Sequence, residues 1–591
     1  MAVENLITEH IDIWTSAVKS KSTSGRGSSK KLELYGIKKL RELILELAVR
    51  GKLVPQDPND EPASVLLERI TLEKAQLVKE KKIKKSKTLQ TLSPESLPRL
   101  PESWTWSYMQ DITEYVQRGK SPNYAEEGSV RVISQKCVQN SGFDIELARY
   151  IEEESLDKYQ DERFLRENDL LWNSTGTGTV GRVNILPNIK QKSLVADSHV
   201  TVVRPLIMNS RYIWCILMAP GVQVRIDPFH EQSLVSGSTK QVELNTSSVV
   251  TLPIPVAPIA EQHRIVAKVD ELMTLCDQLE QQTESSIEVH QVLVTTLLDT
   301  LSNSADADEL MQNWARISEH FDTLFTTEAS IDQLKQTILQ LAVMGKLVPQ
   351  DPSDEPAAEL LKRIAEEKAQ LVKDKKIKKE KALPPIAEDE KPFELPSGWE
   401  WERIGTFGVV GTGATPSRSN PKYWDDPKYN WVSSGETSEL FVSTTKEKVS
   451  ELAIQETNVS IYPSGTLIVA MYGQGKTRGQ ITELTEPAGT NQACAAIQLI
   501  EKNESHKDFV KLYFRKSYEE LRSNAAGGAQ PNLNVGKVQS TVIAVPPLNE
   551  QQRINTKVNE LLTVCDHLKA HFEAVQSTQL HLTDAIVEQA V

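Results

Sequence analysis

The sequence has few features of a membrane, secreted or metal-binding protein. It contains no apolar run of about 18 residues, the length a transmembrane helix needs. Its first residues do not have the basic-then-apolar pattern of a signal peptide. Five cysteines occur without a CxxC pair, so we expect reduced, structural thiols in a cytoplasmic protein that has no metal site. The net charge of −14 is a weak argument against nucleic acid, since local basic patches can still bind it.

Two glycine-rich segments resemble nucleotide-binding loops, but their contexts disfavour that function. Gly176, Gly178 and Gly181 spell G-x-G-x-x-G, and residues 470–477 read AMYGQGKT. A phosphate-binding loop of either kind must open a helix whose amino terminus faces the phosphate. Both segments are followed by strand-like sequence, so we interpret them as exposed loops at corresponding places.

The chain is a duplication. Three blocks recur in the same order: residues 45–87 as 339–381, 100–106 as 395–401, and 258–279 as 547–568. Between them lie two β-rich inserts with little mutual similarity, at roughly 107–252 and 402–541. Because the spacing far exceeds the period of a solenoid repeat, the pattern indicates two domain sets related by an approximate twofold axis.

The duplicated blocks are helical in pattern. We expect a flexible leader at 1–31, and we expect a long helix from Glu261 to about Ser302 that is repeated at 549–590. The helix at 32–50 should pack on the carboxyl-terminal long helix, and the one around 331–344 on the central one. Apolar residues spaced by threes and fours form a coiled-coil seam in each copy: Ile265, Val269, Leu272, Cys276 and Leu279, and Ile554, Val558, Leu561, Cys565 and Leu568.

Lysine clusters follow a short helix in each copy, at residues 79–87 and 373–381. The simpler interpretation is that they complement the helix dipole and remain solvated. Contact with nucleic acid or with an acidic partner is the alternative.

Polar residues at corresponding places in the two inserts suggest DNA contacts, because amide and guanidinium groups can bond base edges and hydroxyls and lysines can bond phosphates. An ordinary surface role is as plausible for any one of them. The candidates in the first insert are Lys120, Ser121, Thr175, Thr177, Thr179, Arg182, Lys240 and Gln241. Those in the second are Thr415, Ser417, Arg418, Asn420, Tyr472, Gln474, Lys476, Arg478, Gln530 and Asn532.

Several motifs resemble the specificity subunit (HsdS) of Type I restriction-modification systems. They are the two GKLVPQDP-x-DEPA blocks, GTGATPSRSNPKYW at 411–424, LIVAMYGQGKTRGQI at 467–481, GGAQPNL at 527–533, and PPLNEQQRI at 546–554 with PIAEQHRI at 258–265. The first insert differs, having HVTVV at 199–203 where the second has NQACAAI at 491–497.

The resemblance implies a non-catalytic chain that reads a bipartite target in double-stranded DNA. Its partners would be two modification (HsdM) subunits and restriction (HsdR) subunits, with no membrane association. The chain itself would hold no cofactor; S-adenosylmethionine, ATP and magnesium would belong to the partner subunits. In accord with this, the sequence has no N/D-P-P-Y/F methyltransferase motif and no helicase motif.

The expected fold is α+β, with two mixed α/β, β-rich target recognition domains joined by long antiparallel coiled-coil helices in a pseudo-twofold duplication. The predicted segments are a leader (1–31), amino-terminal helices (32–98), a first recognition domain (99–257), central helices (258–394), a second recognition domain (395–545) and a final helix (546–591). A coiled-coil scaffold without DNA reading and a nucleotide-binding enzyme are the competing functions.

Overall fold

The computed structural model describes residues 3–21, 31–93, 97–140, 142–157, 159–176, 178–238, 241–472, 477–523 and 533–591. The chain divides into two compact units. The first contains residues 28–285 and 576–591 together with the amino-terminal residues, and the second contains residues 286–575. None of the described helices is long and apolar enough to cross a membrane.

The first unit combines helices with small sheets. Its helices are α1 (Val3–Glu9), α2 (Ile11–Ser16), α3 (Tyr35–Val49), α4 (Ala63–Lys79), α5 (Glu153–Leu156), α6 (Ser210–Met218), α7 (Pro220–Gln223), α8 (Thr246–Val250) and the beginning of α9 (Ile259–Ser302). Its strands are β1 (Lys19–Lys21), β2 (Lys31–Glu33), β3 (Thr105–Tyr108), β4 (Thr113–Arg118), β5 (Tyr124–Ala125), β6 (Arg131–Ile133), β7 (Val138–Gln139), β8 (Gly142–Phe143), β9 (Arg149–Ile151), β10 (Leu170–Asn173), β11 (Val183–Ile185), β12 (Leu194–Ala196), β13 (Val200–Pro205), β14 (Val235–Ser238), β15 (Gln241–Leu244) and β16 (Pro253–Val256).

The second unit has the same kinds of element. Its helices are the end of α9, then α10 (Ala307–Ser318), α11 (Phe321–Leu324), α12 (Glu328–Val343), α13 (Ala357–Lys373), α14 (Ile404–Phe407), α15 (Glu451–Glu456), α16 (Glu504–Ser523), α17 (Val535–Ser540) and α18 (Leu548–Ala590), whose last residues belong to the first unit. Its strands are β17 (Glu400–Arg403), β18 (Gly408–Thr412), β19 (Tyr429–Val432), β20 (Phe441–Val442), β21 (Glu447–Val449), β22 (Leu467–Ala470), β23 (Ile481–Leu484), β24 (Ala488–Thr490), β25 (Cys494–Leu499) and β26 (Val542–Val545).

The two inserts share one topology despite their different sequences. The main antiparallel sheet has the order β11-β10-β13-β4 in the first, and β23-β22-β25-β18 followed on the β23 side by β20 in the second. Beside it, β12 pairs in parallel with β6, and β24 in parallel with β19. An antiparallel pair, β3 with β16 and β17 with β26, joins the start and end of each insert. The predicted mixed α/β architecture and internal duplication are confirmed.

The predicted seam residues are buried, except for Leu568, which is half-buried. Ile265, Val269 and Cys276 of α9, and Ile554 and Cys565 of α18, have no more than 1% of their surface exposed. Burying one aliphatic side chain contributes roughly 1.5–3 kcal/mol. These positions therefore account for much of the packing between the long helices and their neighbours.

The short helices α3 and α12 also pack as predicted. In the first unit, Tyr35 of α3 donates a hydrogen bond to Asp584 of α18 at 2.7 Å. In the second, Gln333 of α12 donates to Thr295 of α9 at 3.1 Å. Glycine ends the turn after each short helix, with Gly51 at φ 68° and Gly345 at φ 70°, a conformation in which a Cβ is strained.

The prediction of a flexible leader is wrong for residues 3–21. They form α1, α2 and β1, and the Trp14 side chain is fully buried in the core of the first unit. The backbone of Trp14 lies so close to Gly36 that a Cβ there would be 2.3 Å from its carbonyl oxygen. The linker-like composition comes mostly from residues 22–30, which lie outside the described residues.

In the first unit, two of the duplicated blocks hold the start of α9 through three polar contacts. Glu261 is buried and accepts hydrogen bonds from Gln56 Nε2 at 2.5 Å and from the Trp104 indole at 2.9 Å. One turn later, Arg264 pairs with Asp60 at 2.5 Å. Gln56 and Asp60 belong to the QDPND segment of the block, so this segment fixes where α9 leaves the β-rich insert.

The second unit repeats these contacts at the start of α18. Glu550 accepts hydrogen bonds from Gln350 at 2.7 Å and from the Trp399 indole at 3.0 Å. Arg553 pairs with Asp354 at 2.6 Å. The identity of the two blocks is thus explained by two identical joints.

The lysine of each GKLVP segment contacts the end of the other long helix. Lys52 Nζ donates to the carbonyl oxygen of Val591, after α18, at 2.7 Å. Lys346 Nζ donates to the carbonyl oxygen of Ser302, at the end of α9, at 3.0 Å. A cation at a helix carboxyl terminus satisfies an otherwise unpaired carbonyl and interacts favourably with the helix dipole. Each block therefore joins the end of one long helix to the start of the other.

Candidate nucleic-acid interface

Three segments of the first insert meet at one end of its main sheet. They are residues 119–122 after β4, the described residues 174–176 and 178–182 between β10 and β11, and the turn 197–199 before β13. The amide of Lys120 donates to the carbonyl of Ala196 at 3.1 Å, and the hydroxyls of Ser121 and Ser198 lie 2.7 Å apart. Thr175 Oγ1 lies 2.6 Å from His199 Nδ1. We call these three segments the first loop cluster.

The second insert brings the corresponding segments together, and we call them the second loop cluster. They are residues 413–420 after β18, the described residues 471–472 and 477–480 between β22 and β23, and the turn 491–493 before β25. Thr415 Oγ1 donates to Gln492 Oε1 at 2.5 Å. This bond corresponds to the Ser121–Ser198 contact of the first insert. Met471 N donates to the Ala493 carbonyl at 2.8 Å, just as Ser174 N donates to that of His199.

Glycine is required where the first segment of each cluster crosses the small sheet. A Cβ on Gly119 would lie 2.0 Å from the carbonyl oxygen of Ala196, and one on Gly413 would lie 1.6 Å from that of Thr490. Neither distance is possible for real atoms, and both contacts are with backbone that cannot rotate away. The Gly-x-Ser/Thr-Pro pattern that the two inserts share therefore marks a close crossing of two chain segments.

The turn in each cluster is held by its own first side chain. Asp197 Oδ1 accepts from His199 N at 2.8 Å, and Asn491 Oδ1 accepts from Ala493 N at 3.0 Å. Burial raises the pKa of Asp197, partly offset by that hydrogen bond. Different residues thus give the same backbone shape in the two turns. The side chains that the turns present differ in chemistry: Ser198 and His199 in the first insert, and Gln492 in the second.

The structure places five of the predicted residues of the first insert in its loop cluster with defined surroundings. Lys120 and Ser121 are exposed, and Thr175 faces His199. Thr179 Oγ1 donates to the Thr175 carbonyl at 3.0 Å, which closes the loop on itself. Arg182 donates to Gln139 Oε1 at 2.6 Å and to the Gly178 carbonyl at 2.7 Å, so its guanidinium holds the glycine loop.

The predicted residues of the second insert are engaged in several local contacts. Arg418 makes two hydrogen bonds to Glu447, at 2.5 and 2.8 Å, and its guanidinium lies 3.9 Å from the Trp424 ring centroid. The bond to Arg418 is the main reason that the pKa of Glu447 is lowered. Ser417 lies 2.8 Å from Ser419, and Asn420 caps the turn that follows.

Two further candidates lie in the described parts of the loop between β22 and β23. Tyr472 is 41% exposed, and Arg478 is half-buried. Gln241 lies in β15 of the first insert. Thr177, Lys240, Gln474, Lys476, Gln530 and Asn532 lie outside the described residues. A DNA-binding role for each of these residues stays a prediction.

Sequence reasoning missed the turns. Ser198, His199 and Gln492 were not among the candidates, although Gln492 and His199 are exposed beside residues that were. The signal available was the alignment of DSHVTVV with NQACAAI, which differ almost completely. Only the strand register shows that Asp197 and Asn491 occupy equivalent positions.

Both glycine loops lead into strands. Residues 178–182 are followed by β11, and residues 477–480 by β23. Neither strand can supply the helix amino terminus that a dinucleotide or phosphate loop uses. The prediction that a strand follows each loop is confirmed, while residues 177 and 473–476 of the loops lie outside the described residues.

Duplicated helices join two β-rich domains of one topology. The loop clusters of these domains present different side chains, so the architecture is suited to reading two separate targets. The family model for the Type I restriction modification DNA specificity domain matches residues 101–289 and 396–574. The chain therefore belongs to the family of specificity subunits of Type I restriction-modification systems. This family provides sequence recognition of DNA by two domains and contributes no catalysis.

The similarity to curated relatives extends over the whole chain. The Type I restriction enzyme EcoEI specificity subunit of Escherichia coli is 42% identical, and the EcoAI specificity subunit of the same species is 41% identical. Both alignments cover 100% of this chain and 100% of the relative. Among solved structures, the HsdS subunit from Thermoanaerobacter tengcongensis aligns with a TM-score of 0.40 and 14% identity, over 84% of this chain and 99% of that chain.

Proposed function

We propose that the two loop clusters each read one half of a bipartite site in duplex DNA. The observation that carries this proposal is that one loop geometry presents different side chains at equivalent positions: half-buried Ser198 and exposed His199 in one domain, and exposed Gln492 in the other. A common backbone frame suits a common task, docking on a groove. Different donors and acceptors on that frame suit different base sequences.

The helical frame would set the unspecified gap between the half-sites. A helix of 44 residues such as α9 spans about 66 Å at 1.5 Å per residue. Polar contacts hold the start of each long helix to the duplicated block of its own unit. A fixed gap lets the discrimination of two short half-sites combine, at roughly 1–3 kcal/mol for each mismatched base pair.

Chemistry would belong to partner subunits. We propose that two HsdM subunits dock on the helices and use S-adenosylmethionine to methylate adenine N6, and that HsdR subunits supply ATP- and magnesium-dependent cleavage. The complex would act in the cytoplasm. The absence of methyltransferase and helicase motifs from the sequence supports this division of labour.

Methylation mapping tests the proposal. DNA from cells expressing this chain with its modification subunit is compared with DNA from cells that express the modification subunit alone. We expect N6-methyladenine in one bipartite motif with a constant gap, only when this chain is present. If an active modification subunit gave no motif that depends on this chain, the chain would be a scaffold without DNA reading.

A further inference from the structure

Each copy carries a run of exposed cations directly after a helix. Residues 79–87, lysine tail 1, contain six lysines and one acid, and residues 373–381, lysine tail 2, contain six lysines and two acids. All twelve lysine side chains are exposed. Within the described ranges, Lys82 alone among them pairs with a carboxylate, that of Glu80 at 2.7 Å. Two concentrated positive patches thus stand out on a chain whose net charge is −14.

Ending a helix does not explain these lysines. Lys81 and Lys375 adopt φ 56° and 57°, the left-handed conformation that favours glycine at the end of a helix. The next amide in each copy bonds back to a helix carbonyl at 2.9 Å, Lys82 to Leu77 and Lys376 to Leu371. Glycine would form the same cap with less strain. The helix dipole extends only over the last turn, so it does not account for the lysines beyond the cap.

Each tail is anchored beside the strand that leads to its loop cluster. In the first unit, Lys74 of α4 bonds the Gln110 carbonyl, and the Gln110 amide donates to the Lys87 carbonyl at 2.8 Å. β4 begins three residues after Gln110 and ends at the first loop cluster. Its six residues span about 20 Å.

The second unit repeats this anchoring. Lys368 of α13 donates to the Gly405 carbonyl at 2.6 Å and to Glu380 of tail 2 at 2.9 Å. β18 then runs from Gly408 to the second loop cluster over five residues, about 17 Å. Each tail is therefore anchored at the same place relative to the loop cluster of its own unit. The distance from the anchor to the loop cluster is roughly half a turn of B-DNA.

We propose that the two lysine tails are phosphate-binding arms, which contact the sugar-phosphate backbone of duplex DNA beside each half-site. Lysine is a point charge suited to phosphate and carries no base specificity. A protein partner fits the tails less well, because lysine is depleted at protein interfaces and apolar anchors are needed. The only apolar residue of each tail, Ile83 or Ile377, is half-buried, and Ile377 packs against the core of its own unit. This inference rests on the proposed function.

The test is the salt dependence of DNA binding by the full chain in complex with its modification subunits. The probe is a duplex containing the mapped motif, and the dissociation constant is measured from 50 to 200 mM salt. Two triple variants are compared with the wild type: one replaces Lys84, Lys85 and Lys87 of tail 1 by Gln, and the other replaces Lys378, Lys379 and Lys381 of tail 2 by Gln. Each triple variant should reduce the slope of log affinity against log salt concentration by about 2–3, because each neutralised phosphate contributes about 0.9. The methylated motif should stay the same. Arginine at the same positions keeps the charge and should preserve the slope.

A single substitution separates binding from folding. Lys81→Gly relieves the left-handed strain, so it should raise the Tm of the chain by a few degrees while it lowers the salt slope by about 0.9. Lys375→Gly is the matched variant in the second copy. A merely structural lysine would raise the Tm with no change in slope.

Two outcomes would overturn the proposal. One is an unchanged salt slope in both glutamine variants while the wild-type complex binds its motif. The other is loss of the modification subunits from the glutamine variants, which would make the tails a protein docking surface. Failure of the underlying function would look different, since the wild-type complex itself would then produce no bipartite motif.

Discussion

The carboxylate of Glu550, a residue with 1% of its surface exposed, accepts a hydrogen bond from the Trp399 indole at 3.0 Å. Gln350 completes the joint at 2.7 Å. The equivalent carboxylate, Glu261, makes the same two kinds of bond in the other unit. Each joint fixes the start of a long helix to the duplicated block, so its protonation state affects how firmly a recognition domain is held.

The joint predicts a pH-dependent stability. Burial raises the pKa of Glu550 to about 7, from 4.5, despite the hydrogen bonds that oppose the shift. The folded chain therefore binds a proton more tightly than the unfolded chain does, and this contribution is lost as pH rises from about 4.5 through about 7. Glu550→Gln keeps an acceptor for Trp399 and cannot ionise. We expect the wild type to lose on the order of 2–3 kcal/mol more than the variant between pH 5 and 8.

Urea unfolding of the two chains at several pH values provides the measurement. Glu261→Gln is the equivalent variant in the other unit, where burial raises the pKa of Glu261 in the same direction. An identical pH dependence in wild type and Glu550→Gln would contradict the assignment of the titrating group.

The close crossing at Gly413 predicts a domain-specific defect. In Gly413→Ala the added methyl group would overlap the Thr490 carbonyl oxygen, so the strand pairing must shift. We expect the loss of roughly 2 kcal/mol or more of stability, the scale of overpacking in a core, and loss of recognition at one half-site. Gly435→Ala is the control, since its nearest neighbour would be 3.9 Å away. Normal methylation by the Gly413→Ala complex would refute the steric argument.

The turns predict separable effects on specificity. Gln492 presents an amide that can bond base edges, so Gln492→Ala should cost about 1–3 kcal/mol at one base pair and relax the motif there. His199→Ala should act on the other half of the motif. Methylation maps of both variants and of the wild type provide the comparison. A change in the same half-site from both substitutions would exclude separate reading by the two domains.

The loop between β22 and β23 predicts a loss of affinity without loss of assembly. Lys476→Ala or Arg478→Ala should weaken DNA binding, by about 1 kcal/mol where a phosphate contact is removed, while copurification with modification subunits stays intact. Arg182→Ala, at the corresponding loop, should act mainly through the loop, because the Arg182 guanidinium bonds the Gly178 carbonyl and Gln139. Unaltered DNA affinity of both the Lys476 and Arg478 variants would remove the loop from the interface.

The helical frame was largely predictable because its determinants are local and periodic. The seam through Ile265, Val269 and Cys276 follows from spacing alone, and all three are buried. The order of the leader was not predictable, since its composition resembled a linker, while in the structure the Trp14 side chain is buried in the core of the first unit and its backbone lies against Gly36 of α3. A single buried aromatic outweighed the average polarity of the segment.

The loop clusters were predictable only in part. The sequence alone predicts the glycine and the hydroxyl residue that follows it in both inserts, as at Gly119 and Ser121. It does not predict the partners of those hydroxyls, Ser198 and Gln492, because residues far apart along the chain come close only through strand pairing.

The amino-acid sequence by itself determined the duplication, the long helices, the β-rich inserts and the family, since repeated words and short-range periodicity need no tertiary contacts to be recognised. Only the tertiary structure decided what the repeated block does, which turns meet which loops, and that Arg418 is already paired with Glu447. The physical reason is distance along the chain: contacts such as Gln350 with Glu550, which lie 200 residues apart, arise from packing that no local pattern encodes.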